Sequence, residues 1–307
     1  MKLRNENVSN QFAHYSEDLV SANDDWTRLQ RYQVNLHLIA NSTPQQNILL
    51  WSSYHNDFHP QLLHLVIGLL RSDSNSTTLI AALKLMLTSI RELSATYRGV
   101  IIDPYTSDTQ LAAALVQAGF RKFRTCYTCM WSKQQTATIA REARSNAVLL
   151  EKTYTLSSIA DLTAVQRQQL LQLQYADYAA VHLDNPVRAF DDDLRLWSTM
   201  VFDEDLAADV PAVLISRQNG QIAAYVISYQ DDAELLLAYF GEQQTGLIQT
   251  QILPHLLAVV AGRHWQLSGE LDDTNPLAMT IMHAFPSATA VDELVAYQYR
   301  FIPNQQV

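Results

Sequence analysis

The sequence predicts an α/β protein of the α+β kind: two similar domains, each a mixed, mostly antiparallel sheet flanked by helices. Three observations carry that expectation. A strand–turn–helix run occurs twice: Gly99-Val100-Ile101-Ile102-Asp103-Pro104 leads to Leu111–Ala118, and His264–Leu271 leads through Asp272-Asp273-Thr274-Asn275-Pro276 into Leu277–Met282. An internal repeat of this size points to two copies of one supersecondary plan. Stretches of helical period alternate with short apolar runs, as in Leu79, Leu83, Met86, Ile90 and Leu93. Asn219-Gly220 separates two further apolar runs, and that dipeptide marks a hairpin because both residues tolerate positive φ.

In order along the chain, residues 10–32 are weakly amphipathic and read as helix. Val34–Ile39, Asn47–Tyr54 and Leu62–Leu70 are apolar runs parted by turn formers, which read as consecutive antiparallel strands. Thr77–Tyr97 follows as a helix and Val100–Ile102 as a strand. Leu111–Ala118 is a helix with Thr106 or Ser107 as its N-cap and Gly119 just past its end. Phe123–Trp131 reads as the last strand of the first half, and polar Lys133–Asn146 as a linker. The expected domains are therefore 1–140 and 141–307. In the second half Ala147–Tyr154 reads as a strand, Ala160–Val181 and Asp192–Val201 as helices, and Ala212–Ser216 with Gln221–Tyr229 as the hairpin. Glu234–Phe240 is a further strand and Leu247–Ala261 a helix, in which Pro254 predicts a kink or a later start. Each half thus runs hairpin, strand, helix, strand, helix, terminal strand, with a helix crossing between two parallel strands. The second half alone is expected to carry a leading strand and two full helices before its hairpin.

At 307 residues, 48% of them hydrophobic and 17% charged, the chain can bury two cores and is too apolar for disorder. A net charge of −10 disfavours a general grip on nucleic acid, and Arg121, Lys122 and Arg124 read as a solvated strand end. No stretch nears about 18 continuous apolar residues, so no membrane partner is expected. Met1–Asn7 is polar with no apolar run behind it, which predicts no signal peptide and a cytoplasmic location. Cys126 and Cys129, three apart on a strand, point to opposite faces and read as buried, inert thiols. His55, Asp57, His59 and His64 have no defined ligand spacing, and no metal site is expected. Asp191-Asp192-Asp193 precedes a helix and reads as its N-cap, favourably placed at the helix dipole.

The order of elements and the segment Leu271-Asp272-Asp273-Thr274-Asn275-Pro276-Leu277-Ala278 resemble the GNAT superfamily of acyl-CoA-dependent N-acyltransferases. In that family a strand ends, an Asn follows, and an Ala lies three residues later on a helix. Leu115-Val116-Gln117-Ala118-Gly119-Phe120 is similar to the Gly-Phe that closes the same helix in other members. The resemblance covers most of residues 34–132 and 147–301, and tandem arrangements are known in the superfamily. The family signature, Q/R-x-x-G-x-G/A, is best matched by Gln243-Gln244-Thr245-Gly246-Leu247-Ile248, with Ile248 where a small residue is expected. The resemblance implies that Phe240, Gly241, Gln243, Gln244, Thr245, Gly246, Leu247 and Asn275 bind acetyl-CoA as co-substrate. Backbone N–H groups at a helix start would cradle its pyrophosphate. The first half's counterpart, Arg71–Thr77, contains no glycine, and that half is expected to have lost cofactor binding.

Many family members use a Tyr seven residues after the Asn as general acid; that position here is Met282. Glu270 at a strand end is the candidate base and Tyr239, ahead of the loop, the candidate acid. The plainer readings are a solvated strand end and an aromatic packed on the sheet. Tyr297 and Tyr299 share a strand face and read as core or rim. The strand before Gly241 is expected to splay from its neighbour, so that its N–H groups hold the thioester. What the resemblance implies is an N-acetyltransferase acting by direct attack of a primary amine, on a small molecule or peptide. The rival is a catalytically inactive binding or scaffold protein; the acidic balance disfavours aminoacyl transfer from tRNA. Homodimerisation is left open.

Overall fold

The computed structural model describes residues 3–9, 15, 29–31, 35–42, 45–70, 76–93, 96–102, 109–145, 152–285, 288 and 290–301. In chain order its elements are β1 (Leu3–Asn7), β2 (His37–Ser42), β3 (Gln45–Tyr54), β4 (Leu63–Leu69), α1 (Ser76–Leu93), β5 (Gly99–Ile102), α2 (Thr109–Gln117) and β6 (Arg121–Trp131). There follow α3 (Lys133–Ser145), β7 (Tyr154–Ser158), α4 (Ala164–Val181), α5 (Leu194–Val201), β8 (Pro211–Ser216), β9 (Ile222–Asp231) and β10 (Glu234–Glu242). The last are α6 (Leu253–Gly262), β11 (Gln266–Asp272), α7 (Pro276–Ala284) and β12 (Ala290–Arg300). The expected Thr106 or Ser107 cap and Arg71–Asn75 lie outside the described residues, as does most of the expected helix over 10–32.

The chain divides into two compact units: Met1–Arg124 with Asp184–Val187 and Leu294–Val307, and Thr125–Leu183 with Arg188–Glu293. The first unit's strands run β1-β2-β3-β4-β5-β12, and the second unit's β6-β11-β10-β9-β8-β7. Residues 125–140, expected in the first half, therefore group with the second, and most of the last strand groups with the first. The reason lies in the terminal strands, which are exchanged. Residues 297–300 of β12 pair antiparallel with β5, whereas residues 126–131 of β6 pair antiparallel with β11. The first half also has the leading strand that its polar sequence concealed, since β1 pairs with β2 from Leu3↔Asn41 to Asn7↔His37.

In the first unit the alternation of β2–β4 feeds two apolar clusters. Ile39, Leu49, Trp51, Leu65 and Ile67 pack with Leu79, Leu83, Met86 and Ile90 of α1. Leu38, Ala40, Leu50 and Val66 pack with Val8, Leu29 and Leu70. Helix α2 ends as expected on Gly119 (φ +100°), with the Phe120 N–H returning to the Leu115 carbonyl in a Schellman-type closure. Gly99 is required for a different reason: a Cβ there would collide with the Tyr299 backbone carbonyl across the β5–β12 pair.

In the second unit the Asn-Gly hairpin forms with only Gly220 at positive φ (+72°), while the Asn219 side chain accepts from the Gln221 N–H at 3.1 Å. Thr163 and Gln166 make a capping box for α4, and Asp193 accepts from the Leu196 N–H at 2.9 Å as N-cap of α5. The expected linker over Lys133–Asn146 is instead helix α3 up to Ser145. Ser132 and Gln135 form a reciprocal cap at its start, and Thr136, Ile139 and Ala140 are buried on one face against α6 and β11. Of the expected strand over Ala147–Tyr154, residues 147–151 lie outside the described residues, and β7 starts at Tyr154. Cys129 is buried, and burial pushes its thiol pKa up, but Cys126 is only half-buried. Their registers, Cys126↔Asp272 and Cys129↔Gly269, put them on one strand as expected.

Candidate active site

Strand β10 pairs with β9 along its whole length, but with β11 only from Glu234↔Gln266 to Leu237↔Gly269. Beyond that point β10 runs on to Glu242 and β11 to Asp272 without pairing, so the two parallel strands part where the sequence predicted a splay. The β9–β10 register also shifts: Leu237 opposes Ser228 and Tyr239 opposes Ile227, which leaves Ala238 as an extra residue. A bulge of this kind re-aims the side chains that follow it. Leu235, Leu237 and Phe240 are buried, whereas Tyr239 turns to the face covered by α4. Its ring meets Tyr178 at 5.9 Å and Tyr229 at 6.5 Å between centroids.

Glu270 and Asp272 lie two apart on β11 and so project from the same face. Burial first, and then these two carboxylates, push the Tyr239 hydroxyl up to about 12, so it keeps its proton at neutral pH. Tyr178 continues the aromatic wall, stacking on His182 at 3.9 Å and meeting Trp197 of α5 edge-on at 5.9 Å. The Tyr229 hydroxyl donates to the Met200 carbonyl. Next to the splay, Gly241 opposes Tyr225, whose hydroxyl donates to Asp177 at 2.8 Å. A Cβ on Gly241 would strike both the Asp177 carboxylate and the Tyr225 ring, so the pair packs directly on that glycine. A shallow cleft borders Asp177, Tyr225, Glu242 and Gln243.

The loop after β10 is organised by a residue the sequence reading passed over. Glu242 folds its carboxylate back onto the loop: Oε1 accepts from the Gly246 N–H at 2.8 Å and Oε2 from the Ile248 N–H at 2.9 Å. Gly246 sits at φ +93°, the left-handed region that favours glycine. Ile248 is fully buried, and the turn it opens packs against β8 and β9, so its bulk enters the core and not the loop's open face. The helix then starts late, as Pro254 predicts. Residues Ile248–Ile252 form a π-turn, with the Leu253 N–H bonding to the Ile248 carbonyl, and α6 begins at Leu253 with proline in its first turn. Of the other loop residues, the Gln243 N–H bonds to the Ala223 carbonyl at 2.8 Å and the Leu247 N–H to the Gln244 carbonyl at 3.4 Å. Gln244 and Thr245 are exposed and Leu247 is buried.

Asn275 lies in the turn after β11, where its Oδ1 accepts from the Leu277 and Ala278 N–H groups at 3.0 and 3.2 Å as N-cap of α7. Beside the splay, Glu270 lies near enough to Tyr239 to raise its hydroxyl pKa, while the Gly246 and Ile248 amides converge on Glu242. A signal for Glu242 was present in the sequence: an acid at a strand end, four residues before the glycine that opens a helix, is favourably placed at the helix's positive pole. In the first unit, His55 contacts Tyr97 and Asp57, His59 bonds to the Asn185 carbonyl at 2.8 Å, and His64 to the Tyr54 hydroxyl at 3.3 Å. Among the described residues no group of three or more metal donors occurs, and no helix is long and apolar enough to cross a membrane.

Neither a protein-family model nor a curated relative matches the sequence. Solved structures do match the fold. A GCN5-related N-acetyltransferase from Sphaerobacter thermophilus is similar over 100% of this chain and 97% of its own, at 11% identity and a TM-score of 0.61. A tandem GNAT protein from the clavulanic acid biosynthesis pathway, solved without AcCoA, matches over 99% of this chain and 100% of its own, at 11% identity and a TM-score of 0.55. A GCN5-related glucosamine N-acetyltransferase region in a fungal multi-domain GH3 beta-N-acetylglucosaminidase matches over 97% of this chain and 38% of its own, at 12% identity and a TM-score of 0.57. In its fold, then, the chain is a tandem GNAT-like protein.

Proposed function

We propose that the second unit is an acyl-CoA-dependent N-acyltransferase that moves an acetyl or related acyl group to a primary amine of a small molecule or peptide. The observation that carries this reading is the parting of β10 from β11 after Leu237↔Gly269, with Tyr239, just past the bulge at Ala238, set against Tyr178 and within electrostatic reach of Glu270. The loop's own geometry favours an anion. Two of its amides, those of Gly246 and Ile248, already converge on an anion, the Glu242 carboxylate, which stands in for a phosphate oxygen.

When bound, the cofactor would supply an activated thioester carbonyl, held by the β10 backbone at Phe240 and Gly241, with its phosphates on the loop Gln243–Leu247. The chain's own groups do the rest. Glu270 takes the proton that the acceptor ammonium must lose before its nitrogen can attack. Tyr239 holds a proton at its hydroxyl for the departing sulfur. The wall of Tyr178, Trp197, Tyr229 and Tyr239, with Glu270 and Asp272 along it, favours a cationic amine on an apolar body.

The second reading, an inactive binding or scaffold protein, is favoured by one observation: a resident carboxylate already occupies the loop's amides. A thermal-shift titration with acetyl-CoA, paired with amine-dependent release of free thiol, decides between them. Acetyl-CoA is expected to stabilise the native protein and not Gly246→Glu, and amines to accelerate thiol release. A lack of any ligand-induced shift at millimolar acetyl-CoA, with Glu242 intact and with Glu242 removed, overturns the transferase reading.

A further inference from the structure

We infer that Glu242 is a built-in competitor for the anion that its loop is shaped to hold, so that cofactor binding and release of this side chain are one coupled event. The inference rests on the acyltransferase reading above and adds a gate to its cofactor site. Each carboxylate oxygen of Glu242 takes one amide, from Gly246 and from Ile248, so the occupancy is two-pronged. The amides point the same way because Gly246 at φ +93° swings the chain into the turn, and because the buried Ile248 side chain locks that turn's register. A phosphate oxygen on these donors would meet a like charge at hydrogen-bond range, and the two repel. The segment Gln243-Gln244-Thr245-Gly246-Leu247 contains no lysine or arginine to offset that repulsion.

Eviction requires only side-chain rotation. The Glu242 backbone is fixed, paired with Ala224 between Gly241↔Tyr225 and the Gln243 N–H bond to Ala223. Space is available beside the loop, since a Cβ on Gly246 would meet nothing within 4 Å. The device is therefore a small, local latch on a rigid strand end.

Free coenzyme A is the probe, because it lacks the acyl group and separates binding from turnover. Its affinity is measured by calorimetry for the native protein, Glu242→Gln and Glu242→Ala, with hydrogen exchange at the Gly246 and Ile248 amides in the unliganded forms. We expect Glu242→Ala to bind on the order of tenfold more tightly or better, since charged hydrogen bonds of this kind no longer compete. Glu242→Gln, which keeps one carbonyl acceptor and loses the charge, falls between. Both amides should exchange faster in Glu242→Ala. Equal affinity in all three proteins, or unchanged exchange, overturns the latch and leaves the transferase reading intact. Weaker binding by Glu242→Ala also overturns it, by making Glu242 a support of the loop. Absence of binding in all three, each shown to be folded by its melting curve, sinks the latch and the transferase reading together.

Discussion

Strands β4 and β10 hold equivalent places in the two units: each pairs antiparallel with the strand before it and parallel with the one reached across the next helix. They differ by one residue. The β3–β4 register is unbroken from Leu49↔Leu69 to Tyr54↔His64, so β4 alternates strictly and is buried from Leu63 to Gly68. Leu65 and Ile67 feed one apolar cluster while Val66 feeds the other. In β10 the extra Ala238 breaks that alternation and brings Tyr239 round to face carboxylates. A single bulge therefore separates a strand given over to packing from one that sets a tyrosine near carboxylates, with no change in the order of elements.

Damage to β4 and damage to β10 should have opposite consequences. Leu65→Ala removes a side chain that is 2% exposed and should cost about 2–5 kcal/mol in chemical denaturation. It should leave coenzyme A affinity per folded molecule unchanged; a large loss of affinity would mean that the first unit serves the cofactor after all. Tyr239→Phe should do the reverse, lowering kcat/KM by about 10²–10⁴-fold with a stability change of about 1 kcal/mol or less. An unaltered rate would return Tyr239 to the role of a packed aromatic.

The smallest effect concerns Asp177 beside Gly241. Burial raises its carboxyl above the ordinary 3.8, partly countered by the bond from Tyr225. The folded protein therefore binds this proton more tightly than the unfolded chain. Stability falls as pH rises from 3.8 through the folded value, and the loss is complete above it. Urea titrations across that range should show the slope flatten in Asp177→Asn, which should be the more stable form at neutral pH.

Much of this was legible in the sequence. Elements with strong period or clear turn chemistry, such as α1, the β8–β9 hairpin and the Gly119 closure of α2, appear within a few residues of their expected limits. The splay after Leu237 followed from family resemblance and not from periodicity. Helix α3 was hidden because its buried stripe uses Thr136 beside Ile139 and Ala140, too weak a contrast for a hydrophobic period; the Ser132–Gln135 cap was the better sign. β1 was hidden by polar residues suited to an edge position. The exchange of β6 and β12 leaves no mark in any local window, because each strand's composition suits either sheet. Glu242 is hidden for a related reason: Ile248 is the residue that departs from the family signature, yet the side chain that fills the amides comes from four residues upstream of Gly246.

The exchanged strands also order events during synthesis. A nascent chain halted after residue 140 has made β1–β5 but not Tyr297–Arg300, which cover the flank of β5, nor Val295, which enters the same core as Leu65. The half that is translated first is thus the half that must wait, holding an open strand flank until the second half has been read. A ribosome stalled in between exposes a surface that neighbouring polypeptides can pair with.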